Sequence, residues 1–414
     1  MGIKDFSKAF DHVSEVRWRD FADKHIAIDA MTELYRSALG AKSINTLTDV
    51  NGNPTLHIST LLANIIEMER NNIHAIWCFD NSKINHNPAK ESEMIKRREK
   101  KNKARNDLNN LENSIALALD DQDGDTDNEK EFFINVNKQV NKTTKSSDIL
   151  TDIDNADNDN TDIGNATDND DDDIDDADID DDDKKKPSKL TKPKTKTKPT
   201  KESLEKQTFT IQASMIDDIK FILDCFGIIY LEAPTGYEAE HIAAYLSDKD
   251  YVDGVYSGDT DVIPFGGKVL YRRSSDKKIY KYTRDDILEQ IKTKTSVKQP
   301  SLNDIRKICA LLGCDFCTRT KGVGPNTIFK KYASLELSKE QMNALDEFKK
   351  QPDYSKVLEH NKDRTPFVDC EVEKLLTWLV NEKSFNRTRI TTQLEKILDI
   401  KDGIGNPTIT KKKK

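Results

Sequence analysis

The chain has 414 residues, 35% hydrophobic and 34% charged, with a formal net charge of −9 at pH 7. That length suits two or three ordinary domains, and no run of about 18 apolar residues is present to cross a membrane. Residues 148–183 carry 18 Asp and no Lys, Arg or Glu, and residues 184–201 carry nine Lys and no acid. These two runs account for the whole net charge, so the rest of the chain is balanced and a globally basic or acidic surface is excluded. The first ten residues, MGIKDFSKAF, lack the pattern of a secretory signal.

In KHIAIDA, a short buried strand at 26–28 ends at Asp29, and AMTELYRSALG reads as the helix that follows. TLLANIIEMER at 60–70 is a second helix, with Leu61, Leu62, Ile65, Ile66 and Met68 as its apolar positions. NNIHAIWCFD then gives a turn, a strand and a terminal Asp80. Uninterrupted apolar strands alternating with helices predict an α/β fold with a parallel sheet. Ligands of such sheets gather at the carboxyl ends of the strands, where Asp29 and Asp80 fall.

Residues 90–119 form a strongly charged helical segment whose first half holds Lys90, Lys96, Arg97, Arg98, Lys100, Lys101, Lys103 and Arg105. Such a run is either a solvated helix face or a phosphate-contacting helix, and its place between two acidic strand ends favours the second. Residues 120–201 are low in complexity, nearly free of aromatic residues after Phe133, and unable to bury enough surface to offset the entropy of ordering. A disordered acidic and basic insertion is expected there.

Structure is expected to resume near Phe209. MIDDIKFILDCF at 215–226 is an amphipathic helix stopped by Gly227, and IIYLEAP is the next strand. Glu238 and Glu240 open the helix EAEHIAAYL. VDGVYSGDTD is a strand and its loop, ending in Asp259 and Asp261, and 268–272 with 278–282 reads as a hairpin. LNDIRKICALL at 302–312 is a helix, followed by Gly313, Asp315, Lys321, Gly322 and Gly324 and a short helix at 326–332. The amides of such a helix, Gly-x-Gly-Pro, helix hairpin can hold a phosphate. The remainder, from 337, is mostly helical.

The six Cys lie in or beside apolar runs, as reduced intracellular thiols do. Cys314-x-x-Cys317 has no second pair to complete a zinc site. Seven carboxylates remain at strand ends or in the loops after them: Asp29, Asp80, Glu238, Glu240, Asp259, Asp261 and Asp315. Gathered on one sheet edge they would be very unfavourable without cations. Two Mg²⁺ ions about 3.5–4 Å apart would offset that charge and suit phosphodiester hydrolysis. Alone, an Asp-x-Asp is a weak signal, and a lone Asp after a strand is commonly a helix cap.

The residues that carry this pattern resemble those of the flap endonuclease (XPG/Rad2-like) family of structure-specific 5′ nucleases. The matching blocks are MGI at the start, IAIDA at 26–30 with Tyr35, CFDN at 78–81 and K-x-x-E-x-x-K-R at 90–97. Further blocks are APTGYEAE at 233–240, SGDTDVIPFG at 257–266, LLGCDF at 311–316 and KGVGP at 321–325. The resemblance covers about 1–110 and 209–335. It implies a PIN-like parallel-sheet nuclease core with a helical arch and a helix–two-turn–helix motif. The corresponding segments are a nuclease region at 1–119 with the basic arch helix, the insertion at 120–201 and an internal nuclease region at 202–300. The helix–two-turn–helix motif follows at 301–335, then a helical C-terminal region with a basic tail at 336–414.

The resemblance implies that Asp29, Asp80, Glu238 and Glu240 serve mainly one Mg²⁺ and that Asp259, Asp261 and Asp315 serve mainly the other, with Mn²⁺ able to substitute. Lys90 and Arg97 match the family's basic pair at the scissile phosphate. Gly2, Tyr35, Lys42, Gly313, Lys321, Gly322 and Gly324 are the corresponding DNA-contacting positions, with K⁺ at the helix–two-turn–helix motif. Several positions depart from the family pattern. Asp80-Asn81 replaces the usual Asp-Gly, the gap between APT and EAE is longer, and Asn64 stands where the family often has Arg. The arch segment before Met215 also lacks the expected basic residues.

The expected activity is a Mg²⁺-dependent 5′ endonuclease and 5′–3′ exonuclease at DNA flaps, nicks or gaps in replication and repair. A 5′–3′ exonuclease acting on RNA or DNA ends and a non-catalytic junction-binding protein are the alternatives. The expected partner is branched or nicked duplex DNA, bound by a monomer in the nucleus or another site of DNA replication. No membrane partner is expected, and no sliding-clamp motif stands near the C-terminus. Deleting residues 120–201 is expected to leave a single cooperative thermal transition; aggregation or a broadened melt would show that the insertion supports the fold.

Overall fold

The computed structural model describes residues 2–39, 47–80, 90–120, 199–274, 278–355 and 371–403. Its centre is a seven-stranded sheet of β1 (Ser14–Val16), β2 (His25–Asp29), β3 (His74–Phe79), β4 (Tyr230–Glu232), β5 (Gly254–Ser257), β6 (Val269–Arg273) and β7 (Ile279–Thr283). The spatial order is β1-β7-β6-β5-β2-β3-β4. From β6 to β4 every pairing is parallel, whereas β6–β7 and β7–β1 are antiparallel. The expected parallel sheet and the hairpin are both present. β1 is an addition: the sequence Ser-Glu-Val is short and mostly exposed, so no apolar run marks it.

Side chains of successive strand residues face opposite sides of the sheet. Ala27, Cys78, Val255 and Leu270 join one core with α7 (Ala239–Asp248), α10 (Leu302–Leu312) and α12 (Lys339–Lys349). Ile26, Ile28, Trp77, Phe79 and Tyr256 join a second core with α3 (Leu56–Arg70), α6 (Ala213–Cys225), α13 (Val372–Asn381) and α14 (Arg387–Gly403). Covering both faces explains why β2 and β3 are apolar almost throughout. The helix α3 starts four residues before the expected 60, because the carbonyl of Thr55 receives the amides of Ile58 and Ser59.

The remaining elements follow the chain. α1 (Phe6–Ala9) precedes β1, α2 (Ala30–Leu39) follows β2, and α4 (Glu91–Asp120) is the 30-residue basic helix. α5 (Lys201–Thr208) leads into α6, α8 (Val262–Phe265) follows β5, α9 (Arg284–Lys294) follows β7 and α11 (Ile328–Lys331) follows α10. Residues 121–198 of the expected insertion lie outside the described residues, as does Lys42. The insertion's two described ends are helical, with Asp120 closing α4 and Lys201 opening α5.

The described residues up to Ala104 and from Thr208 onward form one compact unit, and Arg105–Gln207 fall in a second. In the second, Leu204 is buried and Lys201 pairs with Glu112 at 3.0 Å. Among the described residues no helix is long and apolar enough to cross a membrane.

One carboxylate ties the C-terminal helices to the second core. Asp218 on α6 accepts from Nε2 of the buried His57 at 3.1 Å and pairs with Lys383, just beyond α13, at 2.8 Å. His57 Nδ1 is buried without a hydrogen-bond partner, so removing Asp218 would leave the whole ring unpaired. Asp218→Ala is therefore expected to lower unfolding stability by about 1–3 kcal/mol in a denaturant titration, and an unchanged midpoint would show that the node carries no stability.

Candidate active site

Four parallel strands deliver acids to one edge of the sheet. β2 ends at Asp29, β3 is followed by Asp80, β4 leads through a turn to Glu238 and Glu240, and β5 leads to Asp259 and Asp261. The seventh, Asp315, comes from the loop after α10. All seven fall into one electrostatic network. Glu240 feels the charges of Asp29, Asp259, Asp80 and Glu238, Glu238 feels Asp315, and Asp261 feels Asp259 and Asp315. One ligand atom each from Asp259, Asp261 and Asp315 lies within 4.8 Å of the others.

Local structure fixes each acid differently. Asp29 is 1% exposed and doubly engaged, accepting from the Thr32 amide (3.0 Å), the Thr32 hydroxyl (2.6 Å) and the Ser257 hydroxyl (2.6 Å). It caps α2 as well as facing the cluster. Asp80 accepts from the Ala239 amide at 2.8 Å, at the first residue of α7. Glu238 sits in extended conformation at the start of α7, and its amide donates to His241 Nδ1 at 3.1 Å. Asp259 is held by its own amide on Ser257 Oγ (2.9 Å) and accepts from the Asp261 amide (3.0 Å). Both carboxylate oxygens of Asp261 are buried without a hydrogen-bond partner.

That last observation tests whether a cation fits. A buried polar atom is ordinarily paired, and a bare buried carboxylate is strongly disfavoured. An all-oxygen donor set beside it suits a hard divalent ion such as Mg²⁺. Asp259, Asp261 and Asp315 meet that requirement.

The cations already present are side chains. Lys90 Nζ is 2.8 Å from Glu238 Oε2 and 3.6 Å from Asp315 Oδ2. Arg97 Nη2 is 2.7 Å from Asp315 Oδ2 and its Nε is 3.2 Å from Glu93. Burial pushes Asp261 and Glu240 well above the usual carboxylate range, and neighbouring carboxylates push in the same direction. Asp80 is raised to about 6, by burial and by Glu238 and Asp29 against the opposing Ala239 hydrogen bond. Burial also acts on Asp315, but Lys90 and Arg97 outweigh it and hold that group below its ordinary value.

The other expected site residues divide into two groups. Gly2 reaches the cluster: its φ is +88°, and a Cβ there would lie 2.0 Å from Asp259 Oδ1. The next amide, of Ile3, donates to Thr260 Oγ1 at 2.9 Å, and that of Lys4 to the Gly313 carbonyl at 2.9 Å. Tyr35 is half-buried, edge-on to Phe209 with centroids 6.2 Å apart, and feels the charges of Arg97 and Asp80. Lys321, Gly322 and Gly324 instead lie in the turn joining α10 to α11. Asn64 donates to the buried Glu33 at 3.2 Å, so an internal partner occupies it.

Sequence reasoning missed the residues that hold the ligands in place. Thr32 stands three residues after Asp29, Ser257 two before Asp259 and Thr260 between Asp259 and Asp261, and that nearness in sequence is the available signal. His241 stands three residues after Glu238, the spacing of a capping box. The Cys314 and Cys317 thiols are 3.5 Å apart and buried, and their backbones exchange hydrogen bonds of 3.0 and 3.2 Å. The pair closes the tight turn that presents Asp315, a structural role in place of a zinc or redox motif.

The match to known proteins agrees with this geometry. Residues 1–104 match the XPG N-terminal domain and 227–315 the XPG I-region. A flap endonuclease 1 of Theileria annulata is 34% identical over 214 residues, covering 49% of this chain and 40% of that protein. The aligned part thus spans less than half of the relative's length. Among solved structures, a flap endonuclease-1 from Methanococcus jannaschii superposes with a TM-score of 0.50 at 19% identity, over 95% of this chain and 97% of that one. The catalytic core of Rad2 in complex with DNA substrate gives 0.51 at 16%, over 96% and 100%. The fold is that of the PIN-like nucleases. These matches support the XPG/Rad2-like flap endonuclease family for this chain.

The perturbed carboxyls set a stability profile. Asp29, Asp80, Glu238, Glu240 and Asp261 are raised in the folded state, so the folded protein keeps protons that the unfolded chain releases above about pH 4. Their contribution is full below that pH and is lost as pH rises through 6 and beyond; Asp315, lowered, opposes it. In EDTA, the melting temperature is expected to fall between pH 5 and 7.5. At one fixed concentration Mg²⁺ should restore it more at pH 7.5 than at pH 5, the stability gain being about 2.7 kcal/mol where that concentration is a hundred times the Kd. A Mg²⁺ response independent of pH would separate the cation from these groups.

Proposed function

We propose that this protein is a divalent-metal-dependent, structure-selective 5′ nuclease that hydrolyses phosphodiesters at DNA flaps, nicks or gaps. The observation that carries the reading is Asp261, whose two buried oxygens lack a partner within a triad of acids flanked by Lys90 and Arg97. Two Mg²⁺ ions held by the seven carboxylates would lower the pKa of an attacking water and stabilise the leaving 3′ oxygen. Mn²⁺, with similar oxygen chemistry, would serve in their place.

The chain's own groups do the rest. Asp29, braced by Thr32 and Ser257, keeps its carboxylate fixed at the cluster, where it would help to hold the metal. Lys90 is held by Glu238 and Asp315, and Arg97 by Glu93 and Asp315, so both basic side chains stand at the carboxylates. Those groups then receive the scissile phosphate, and Tyr35 offers its ring to an unpaired base. Arg36, beside Tyr35 on α2, is committed to Glu33 and takes no part.

Duplex is gripped at the turn between α10 and α11. Gly322 has φ +73°, and a Cβ at Gly322 or Gly324 would meet nothing within 4 Å. No internal packing requires a glycine at Gly324, which suits close approach of a phosphate backbone. The residues of this turn would hold K⁺, and contacts to phosphate would make selectivity follow shape rather than sequence. The Rad2 core that shares this fold is in complex with DNA substrate, which supports the same class of partner.

The test is a labelled substrate panel with Mg²⁺: 5′ flap, nick, gap, blunt duplex and single-stranded RNA. Cleavage of the 5′ flap should lead, and Asp261→Ala should lower it by at least about 10³-fold with the fold retained. Activity that survives Asp261→Ala would remove the metal assignment. Faster turnover of RNA ends would point to the exonuclease alternative, and tight junction binding without hydrolysis to a binding protein.

A further inference from the structure

A row of rings runs beside the carboxylates. Tyr237 meets His241 edge-on with centroids 5.4 Å apart, His241 lies 3.8 Å from Phe265, and Phe265 meets Phe316 edge-on at 6.1 Å. Each ring belongs to an element that carries ligands. Tyr237 and His241 flank Glu238 and Glu240, Phe265 ends the helix begun after Asp261, and Phe316 follows Asp315. Lys90 Nζ stands 4.8 Å over the Phe316 ring.

One member of the row is an imidazole. His241 is 1% exposed, and its Nδ1 accepts the amide proton of Glu238 at 3.1 Å. An acceptor at the third position of a helix, bonded to the amide of the capping residue, fixes the first turn. Here the first turn of α7 carries Glu238 at its cap and Glu240 at its second residue, and Asp80 accepts from the Ala239 amide between them. The ring therefore sets the position of two acids directly and touches a third through the helix end. Phenylalanine would fill the same space beside Phe265 but would leave the Glu238 amide without its acceptor.

We infer that His241 is a positioning residue for the metal ligands: its Nδ1 locks the Glu238–Glu240 turn, and its ring joins that turn to the elements bearing Asp261 and Asp315. It touches neither substrate nor reacting atoms, and the inference rests on the metal-site reading of the carboxylates.

The test uses the full chain without DNA and reads Mn²⁺ binding by electron paramagnetic resonance, with thermal melting as the fold control. His241→Phe keeps the ring and loses the acceptor, and is expected to bind Mn²⁺ about tenfold or more weakly at an unchanged melting temperature. His241→Gln supplies an acceptor at the same helical position and is expected to recover most of the affinity. If the phenyl ring is not accommodated, the smaller His241→Leu, which also lacks the acceptor, takes its place. Wild-type affinity in the Phe or Leu variant overturns the inference, as does a Gln variant as weak as they are. A wild-type chain that binds no Mn²⁺ overturns the metal-site reading itself, a separate outcome.

Discussion

Keeping seven carboxylates together at one sheet edge is the constraint on which the rest of the structure depends. Like charges at this separation, largely removed from water, oppose folding unless something offsets them. Three helices, α2, α7 and α8, begin at or beside the cluster, and the partial positive charge of a helix N-terminus favours carboxylates there. Lys90 and Arg97 supply two full charges, and the hydroxyls of Thr32 and Ser257 supply hydrogen bonds to Asp29. Burial, and after it the neighbouring carboxylates, still push Asp80, Glu240 and Asp261 upward.

The compensation is spread along the whole chain, which is why distant segments are pinned together. Residues 2–5 bridge from Thr260, beside Asp261, to the loop after α10: the Ile3 amide bonds Thr260, the Lys4 amide bonds Gly313, and the Asp5 carboxylate pairs with Arg319 at 2.5 Å. Gly313 tolerates the contact only as glycine, because its φ is +86° and a Cβ would lie 2.8 Å from the Arg319 amide. The turn of Cys314 and Cys317 then holds Asp315 against Arg97. A side chain added at Gly2 and one added at Gly313 would disturb the same site from opposite ends of this strap.

The central strands, most helices and all seven acids were legible in the sequence. The reason is physical. β2, β3 and β5 are buried on both faces, so their apolar runs stand out, and in a parallel sheet the acids that follow them must share one edge. β1 was not legible, since an exposed edge strand needs only backbone pairing to β7. The ion pairs of Lys90 were equally hidden, because a basic run reads the same whether its residues face solvent, a phosphate or a buried acid. The pairing of Cys314 with Cys317 carries no chemical signal beyond spacing, and only the fold shows that the two thiols close a turn.

The turn Pro234-Thr235-Gly236-Tyr237 carries the chain from β4 to the ligand pair at the start of α7. Gly236 takes φ +85° with no atom near its missing Cβ, so the turn bends through open space there. Both ends of the turn are fixed independently. On one side the Ala233 amide bonds the Phe79 carbonyl, and Tyr354 donates to the Glu232 carbonyl at 2.9 Å. On the other, Asp80 holds the Ala239 amide and His241 the Glu238 amide. Asp80 follows directly on Phe79, so a single strand end anchors the turn where it leaves the sheet and where it enters the helix. The position of Glu238 and Glu240 is thus set by β3 and α7.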